Sequence, residues 1–260
     1  MKTEEYGKYL SEAYDALNTD VDYEAWAQFY LSCAEKYLKN RLTHVCEMAC
    51  GTGNLAIALA KRGLRVTAFD LSDTMLTLAD KKAHDAGAKN IRLTRQDMRD
   101  FRVYSPAELA VCMMDGVNCL LSPEDISAAF ESAYRALSDG GMFVFDLNSR
   151  HKFETVYGEN AYILEDEGVT LAWQNFYNPR TKKCDMELSF FLEQPDGRYA
   201  RYDERVRERM YPVKTVEKLL AGAGFDVFAR VSDFDFTPAD ERTCDRIFFV
   251  CGKKTDAAED

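Results

Sequence analysis

Apolar residues in the first half of the chain occur in two patterns, as short continuous runs and as stretches spaced three and four apart. A short run is typical of a buried strand, whereas the wider spacing is typical of a helix with one buried face. The two patterns alternate from Thr43 onward, which predicts parallel strands joined by crossover helices. The predicted strands are 45–49, 66–69, 90–94, 109–114, 142–146, 225–231 and 246–251. We therefore predict an α/β fold with a seven-stranded, doubly wound and mostly parallel sheet.

The spacing of apolar residues changes to every second position between residues 162 and 210. Turn signals separate these runs at 178–179 and 195–197, so the region is predicted to form antiparallel strands with one face exposed to solvent. We interpret residues 151–211 as an antiparallel β insert that forms the roof of an acceptor site. A helix is predicted directly after it, at 212–223.

Residues 1–40 have a helical pattern that is rich in tyrosine. Asp20 or Asp22 could cap a helix in which Trp26 and Tyr37 pack on the main sheet. Aromatic faces before the core could also cover a cationic ligand, and the candidates are Tyr6, Tyr9, Tyr14 and Tyr23. We therefore expect an N-terminal helical lid at 1–40 and a core formed by 41–150 and 212–252.

Composition narrows the range of partners. The 260 residues carry a formal net charge of −11, which argues against a nucleic-acid partner because such proteins usually present a cationic face. No run approaches the roughly 18 apolar residues of a membrane span, and no leader pattern is present, so we expect a cytoplasmic protein without a membrane partner. Eight scattered cysteines without a Cys-x-x-Cys spacing predict buried free thiols, and three histidines make a metal site an unlikely feature.

The stretch from Val45 to Ala60 passes from an apolar strand through a glycine-containing turn into a helix. Gly51 and Gly53 allow the backbone to approach a ligand closely, and backbone N–H groups at the start of the helix can bind its polar groups. Asp70 closes the next apolar run at about 20 residues beyond the glycines, where a carboxylate can accept both hydroxyl groups of a ribose. The spacing predicts a site for a nucleotide-like cofactor.

Other polar residues follow the predicted strands at the edge that faces the ligand crevice in an open α/β sheet. The third strand is followed by Asp97 and Met98. Four more candidates, which could orient an acceptor, follow later strands, namely Asp115, Asn118, Asn148 and His151.

These features together resemble the class I S-adenosylmethionine-dependent methyltransferases. The resemblance is carried by 47–54 (EMACGTGN), Asp70, 96–98 (QDM) and Leu137-x-x-Gly140-Gly141, and it covers 42–149 with the C-terminal helix and strand pair. The tyrosine-rich N-terminus and the β insert resemble the small-molecule branch that includes amino-sugar and glycine-type N-methyltransferases. Ala49 departs from the family, which usually has a glycine there, and its methyl group would crowd the methionine end of the cofactor.

The resemblance implies that S-adenosylmethionine is the cofactor. It assigns the cofactor site to Glu47, Ala49, Gly51, Gly53, Asn54, Asp70, Leu71, Asp97, Met98 and Asp115. In this assignment Glu47 supports the turn and the methionine or ribose side, Asp70 binds the ribose hydroxyls, and Leu71 lies against the adenine. The adenine amino group would bind Asp97, and a ring nitrogen would bind the backbone N–H of Met98.

The expected function is direct in-line transfer of a methyl group to a small-molecule acceptor. An amine is the favoured acceptor, while a hydroxyl stays open, and the candidates for acceptor contact are Tyr14, Asn118 and His151. Two alternatives remain. An NAD-dependent oxidoreductase would use the same turn, because Gly51 to Ala56 fits Gly-x-Gly-x-x-Gly/Ala. A non-catalytic S-adenosylmethionine-binding protein would use the same cofactor site. Both a monomer and a homodimer are compatible with the sequence.

Overall fold

The computed structural model describes residues 14–166 and 168–254, so Tyr6, Tyr9 and the C-terminal tail from 255 lie outside the described residues. The strands, in chain order, are β1 His44–Met48, β2 Arg65–Asp70, β3 Ile91–Arg95, β4 Ala107–Cys112, β5 Leu137–Asn148, β6 Ala161–Asp166, β7 Val169–Asn178, β8 Lys183–Glu193, β9 Tyr199–Arg209, β10 Phe225–Val231 and β11 Arg246–Lys253. The helices are α1 Tyr23–Tyr37, α2 Asn54–Lys61, α3 Asp73–Asp85, α4 Pro123–Ala136 and α5 Val213–Gly222.

Seven strands form the main sheet in the order β10-β11-β5-β4-β1-β2-β3. Strand β11 runs antiparallel to both its neighbours, and the remaining pairs are parallel, which confirms the predicted sheet. The chain winds from β1 towards β3 and then crosses to β4 on the other side of β1. This reversal creates a crevice at the carboxyl ends of β1 and β4, the usual ligand position in such sheets.

Local sequence signals explain where the helices begin. The Ser72 hydroxyl accepts a hydrogen bond from the Met75 N–H, and the Ser122 hydroxyl accepts one from the Asp125 N–H, so these two serines cap α3 and α4. Asp22 caps α1 by accepting from the Ala25 N–H at 2.9 Å. These caps fix the points at which the chain leaves the sheet edge and turns back along its face.

Helix α1 packs on the main sheet through aromatic side chains. The rings of Trp26 and Phe248 of β11 lie 5.3 Å apart, and Tyr37 stacks on Phe228 of β10 at 5.6 Å. The opposite face of the sheet is covered by α4 and α5, with Phe130 among the fully buried side chains. The sheet therefore has helices on both faces, as its continuous apolar strands require.

Strands β6 to β9 form a second, antiparallel sheet in which each strand pairs with the next. Alternate residues of β8 are buried, and Leu188 and Phe190 pack with Leu171 against Tyr14 and Leu17. The second sheet therefore contacts the chain segment that precedes α1.

Two further expectations are tested by this fold. All eight cysteines are free thiols and six of them are buried, as predicted. Burial raises the pKa of Cys33 and of Cys46 to about 12, so these thiols are unreactive at neutral pH. Within the described residues, the helices are all too short or too polar to cross a membrane.

Candidate active site

A cleft of about 520 Å³, including its open mouth, lies at the crevice between the carboxyl ends of β1 and β4. Met48 of β1 is level with Phe69 of β2 and Cys112 of β4, so the segments that follow all three strands meet at one edge. The cleft is lined by Tyr14, Tyr23, Ala49, Cys50, Gly51, Thr52, Asn54, Leu55, Asp70, Met75, Met113, Met114 and Gly116.

The turn between β1 and α2 exposes its backbone to the cleft. Ala49, Gly51 and Gly53 have left-handed φ angles of 51°, 53° and 77°. A Cβ atom on Gly53 would lie 2.9 Å from the Cβ of Ala79, so only glycine allows α2 and α3 to approach this closely. Ala49 adopts the left-handed conformation in spite of its methyl group, which makes the turn a strained one of the kind that concentrates at functional sites.

The carboxylate of Asp70 connects the turn to the end of β2. Its two oxygens accept hydrogen bonds from the backbone N–H groups of Gly51 and Ser72, both at 2.9 Å. The residue is 7% exposed and lines the cleft. Because each carboxylate oxygen can accept more than one hydrogen bond, Asp70 can hold the turn and still accept from ligand hydroxyls.

Glu47 carries a buried carboxyl group next to this turn. The residue is 1% exposed, and neither carboxyl oxygen has a hydrogen-bond partner within the described part of the chain. Burial, together with the charge of Asp70, raises the pKa of Glu47 well above its usual range. A buried acceptor without a donor is costly, and the Glu47 carboxyl group is such an acceptor although Glu47 is not among the residues that line the cleft.

The segment before α1 contributes Tyr14 to the cleft lining and is bonded to the glycine turn beside it. Asp15 accepts hydrogen bonds from the Thr52 hydroxyl at 2.7 Å and from the Asn54 amide at 2.9 Å, and its ion pair with Lys82 of α3 measures 2.6 Å. The hydroxyl group of Tyr14 lies 3.9 Å from the sulfur of Met114. Asp15 therefore joins the segment before α1 to the glycine turn and to α3.

Comparisons with known proteins agree with this geometry. A family model described as a methyltransferase domain matches residues 45–141. A relative from Geobacillus sp. (strain WCH70) that is classed with the methyltransferases is 31% identical over 92% of this chain and 96% of its own length. The chain belongs to the class I S-adenosylmethionine-dependent methyltransferases.

Two solved structures extend this result. A crystal structure of an S-adenosylmethionine-dependent methyltransferase from Clostridium acetobutylicum ATCC 824 superposes with a TM-score of 0.84 and 29% identity, covering 96% of this chain and 99% of that one. The sugar N-methyltransferase KedS8 from Streptoalloteichus sp. ATCC 53650 has a TM-score of 0.75 at 20% identity and 98% coverage of both chains, which shows a shared fold. S-adenosylmethionine is therefore the cofactor of this methyltransferase, and the oxidoreductase alternative is set aside.

The predicted adenine contacts of the methyltransferase are not among the residues that line the cleft. Asp97 forms an ion pair with Arg99, which also contacts Asp125 at 3.1 Å, and the hydrogen bonds from Arg99 lower the pKa of Asp97. Met98 is partly buried against the core, and neither Met98 nor Leu71 lines the cleft as delimited above. Their roles in binding adenine stay predictions.

The three acceptor candidates of the methyltransferase have different surroundings. Tyr14 lines the cleft. Asn118 is fully buried and joins two elements, since its amide donates to the Arg209 carbonyl at 2.8 Å and accepts from the Asn148 N–H at 2.9 Å. His151 lies 3.7 Å from a carboxylate oxygen of Asp245, away from the cleft lining.

Sequence reasoning missed several charged residues near the cleft of this methyltransferase. Arg246 contacts both Asp115 and Asp146, and Asp115 donates its N–H to Asp146 at 2.9 Å. Asp15, which joins the segment before α1 to the glycine turn, was also missed. A usable signal was present for Asp146, because it is a carboxylate that directly follows a continuous apolar run in a central strand.

Proposed function

We propose that this methyltransferase transfers a methyl group directly from S-adenosylmethionine to a small-molecule amine. The observation that carries the proposal is the unpaired Glu47 carboxyl group, which is buried next to the glycine turn. Asp70 fixes this turn by accepting a hydrogen bond from the Gly51 N–H. Support for an amine comes from the fold shared with a sugar N-methyltransferase.

The residues around the cleft fit this cofactor. Glu47 is an acceptor for the α-ammonium group of the methionine moiety, and Asp70 is an acceptor for the ribose hydroxyls. Gly51 has open space where a Cβ atom would stand, which leaves the backbone accessible to the methionine end. The cofactor supplies a methyl group on a positively charged sulfur, which activates that methyl for attack by a nucleophile.

The protein contributes alignment and exclusion of water. Because the methyl group arrives activated, no covalent bond to the enzyme is needed, and orientation alone can supply an effective molarity of about 10⁵ M or more. Tyr14, held near Met114 above the cleft, is suited to keep water from the reacting groups. The Tyr14 hydroxyl stays protonated, since burial raises its pKa.

We assign the domains accordingly, as parts of the same proposal. Residues 1–40 contribute the lid, and 41–150 with 212–252 form the cofactor-binding core. Residues 151–211 form the roof of the acceptor site, a role supported by the packing of Leu171 and Phe190 on Tyr14. The acceptor would then bind between the core and the second sheet.

Thermal stabilisation tests the cofactor site. We expect S-adenosylmethionine and S-adenosylhomocysteine, but not NAD, to raise the melting temperature of the protein. Asp70→Ala should remove most of this stabilisation, whereas Asp80→Ala, which removes an exposed acid on α3, should leave it intact. Unchanged affinity in Asp70→Ala would refute the ribose assignment.

Methyl transfer tests the reaction. The enzyme is incubated with methyl-labelled cofactor and a panel of small amines, each paired with its hydroxyl analogue, and incorporation of label is measured. Transfer to amines in preference to their hydroxyl analogues is expected. Transfer only to hydroxyl compounds would refute the amine assignment and keep the methyltransferase.

A further inference from the structure

Three acids meet beside the cleft where the core contacts the second sheet. Asp115 follows β4, Asp146 belongs to β5 and Glu208 belongs to β9. Asp146 and Glu208 are 0% and 4% exposed, while the Asp115 side chain is 18% exposed. Arg246 contacts Asp115 at 3.2 Å and also pairs with Asp146. We name these three acids the acid triad.

The acid triad and its neighbours contain more hydrogen-bond acceptors than donors. The Asn148 amide donates to Glu208 at 3.0 Å and to the Tyr157 hydroxyl at 3.1 Å. Two buried oxygens, Oδ1 of Asp146 and Oδ1 of Asn148, have no partner among the described residues. Unpaired buried acceptors of this kind cost about 1–3 kcal/mol each, so a ligand rich in donors would be stabilised here.

The charges of the acid triad favour a cation. Burial and the neighbouring Asp115 raise the pKa of Glu208 well above its usual range. Asp115 and Asp146 share the guanidinium group of one arginine, Arg246. Lys152 acts on Glu208 from a greater distance, with its ammonium group 5.3 Å from the ring centre of Tyr157.

Asp115 is the most exposed member of the acid triad and is flanked in the chain by residues of the cleft lining. Its two neighbours in the chain, Met114 and Gly116, line the cleft. Met114 and Asp115 both have left-handed backbones, with φ angles of 52° and 56°. Such strain in consecutive non-glycine residues requires support from the surroundings, which the Asp115 N–H receives from Asp146.

We propose that Asp115, supported by Asp146 and Glu208, binds the N–H groups of a cationic nitrogen on the methyl acceptor. This inference rests on the proposed function and names the residues that select the acceptor. It moves Asp115 from the cofactor side of the site to the acceptor side. An ammonium or amidinium group offers both the donors and the positive charge that the acid triad lacks, whereas a hydroxyl group offers one donor and no charge.

Acetamidinium and acetamide provide a test that does not depend on knowing the acceptor. The two molecules have nearly the same shape, but acetamidinium is a cation with N–H donors on both nitrogens. Each is titrated by calorimetry into the enzyme saturated with S-adenosylhomocysteine. We expect acetamidinium to bind at least tenfold more tightly than acetamide, and equal affinities would overturn the proposal.

Single-residue variants test which acid of the triad produces the preference for acetamidinium over acetamide. Asp115→Asn should reduce the preference for acetamidinium to less than threefold, and Glu208→Gln, which keeps the size of the side chain and an acceptor oxygen for the Asn148 amide, should retain it. Glu187→Gln is the matched control, because Glu187 lies on the outer face of the same insert in an exposed ion pair with Arg205. A preference that survives in Asp115→Asn would overturn the proposal.

The cofactor titration separates this inference from the proposed function. Failure of S-adenosylhomocysteine to bind the wild-type enzyme would contradict the proposed function itself. Binding of S-adenosylhomocysteine without a preference for acetamidinium would contradict only the assignment of the acid triad. The same titration in each variant reports whether the variant has folded.

Discussion

Replacing Glu47 with methionine should stabilise the protein and weaken its binding of the cofactor. Glu47 lies in the central strand β1 with its carboxyl group buried and unpartnered. Methionine has a similar length and no polar group, and its flexible side chain adapts to irregular surroundings. The substitution therefore removes an unpaired polar group while it leaves the packing of the strand nearly unchanged.

The size of the effects on stability and on cofactor binding follows from the lack of a hydrogen-bond partner for the Glu47 carboxyl group. An unsatisfied buried acceptor costs about 1–3 kcal/mol, so Glu47→Met should increase the free energy of unfolding by a similar amount. For a chain of this size each kcal/mol raises the melting temperature by about 2–4 °C, and we expect a rise of roughly 5 °C. Loss of a charge-assisted hydrogen bond worth about 1.5–3 kcal/mol should weaken cofactor binding by about 10- to 100-fold.

Two measurements on the same samples test these effects. Urea unfolding followed by circular dichroism gives the free energy of unfolding without cofactor, and calorimetry gives the affinity for S-adenosylhomocysteine. Glu35→Met, which replaces an exposed acid on α1, is the control and should change neither quantity by more than about 0.5 kcal/mol. A lower melting temperature in Glu47→Met would mean that the carboxyl group has a partner in the folded protein. Unchanged affinity would mean that it does not contact the cofactor.

Three further predictions concern the pH dependence of stability, the ion pair of Asp15 with Lys82, and the glycine turn. Because the fold raises the pKa of Glu208, the folded state binds its proton more tightly, and the free energy of unfolding should fall as pH rises above the ordinary glutamate value of about 4.3 towards the raised pKa. Urea titrations across this range should show a smaller fall in Glu208→Gln. Asp15→Asn removes the ion pair to Lys82 of α3 and should weaken cofactor affinity by about 1 kcal/mol, roughly fivefold, as measured by calorimetry. An affinity of the wild type that is equal at low and high salt would contradict a contribution of this ion pair to cofactor binding. Gly53→Ala should destabilise the protein more than Gly87→Ala, since both have left-handed φ angles but only the first would bring a Cβ within 2.9 Å of Ala79; equal melting temperatures would refute the steric argument.

The parts of the fold that could be predicted depend on local signals. Strand β10 occupies 225–231, the range predicted from its apolar pattern, and Ser72 and Ser122 are residue types that favour the cap positions they occupy. Strand β5 begins at Leu137 rather than at the predicted 142, because in a sequence a glycine pair such as Gly140-Gly141 is typical of a turn. In the structure, a Cβ on Gly141 would lie 2.9 Å from the Ser138 carbonyl oxygen, so the second glycine allows a tight bulge inside the strand.

The candidate site was predictable to the extent that it is local in sequence. Gly51 and Asp70 stand 19 residues apart on consecutive strand ends, and their hydrogen bond could be anticipated from that spacing. The contact between Asp15 and Lys82 joins residues 67 apart on elements whose relative position the apolar pattern does not determine. For the same reason, the approach of Glu208 to Asp115 could be recognised only once the second sheet was seen against the core.

Unpaired buried acceptors occur in two places, one beside the glycine turn and one where the core contacts the second sheet, and this distribution is itself an argument for two ligands. Glu47 belongs to β1, which leads into the turn, whereas Asp146 and Asn148 belong to β5. Apolar side chains in these positions would make the folded protein more stable, so stability does not account for the acids. Cationic groups on two different molecules would satisfy them, namely the ammonium of the cofactor in one place and the nitrogen of the acceptor in the other. The two groups of unpaired acceptors therefore correspond to the two partners of a methyl transfer.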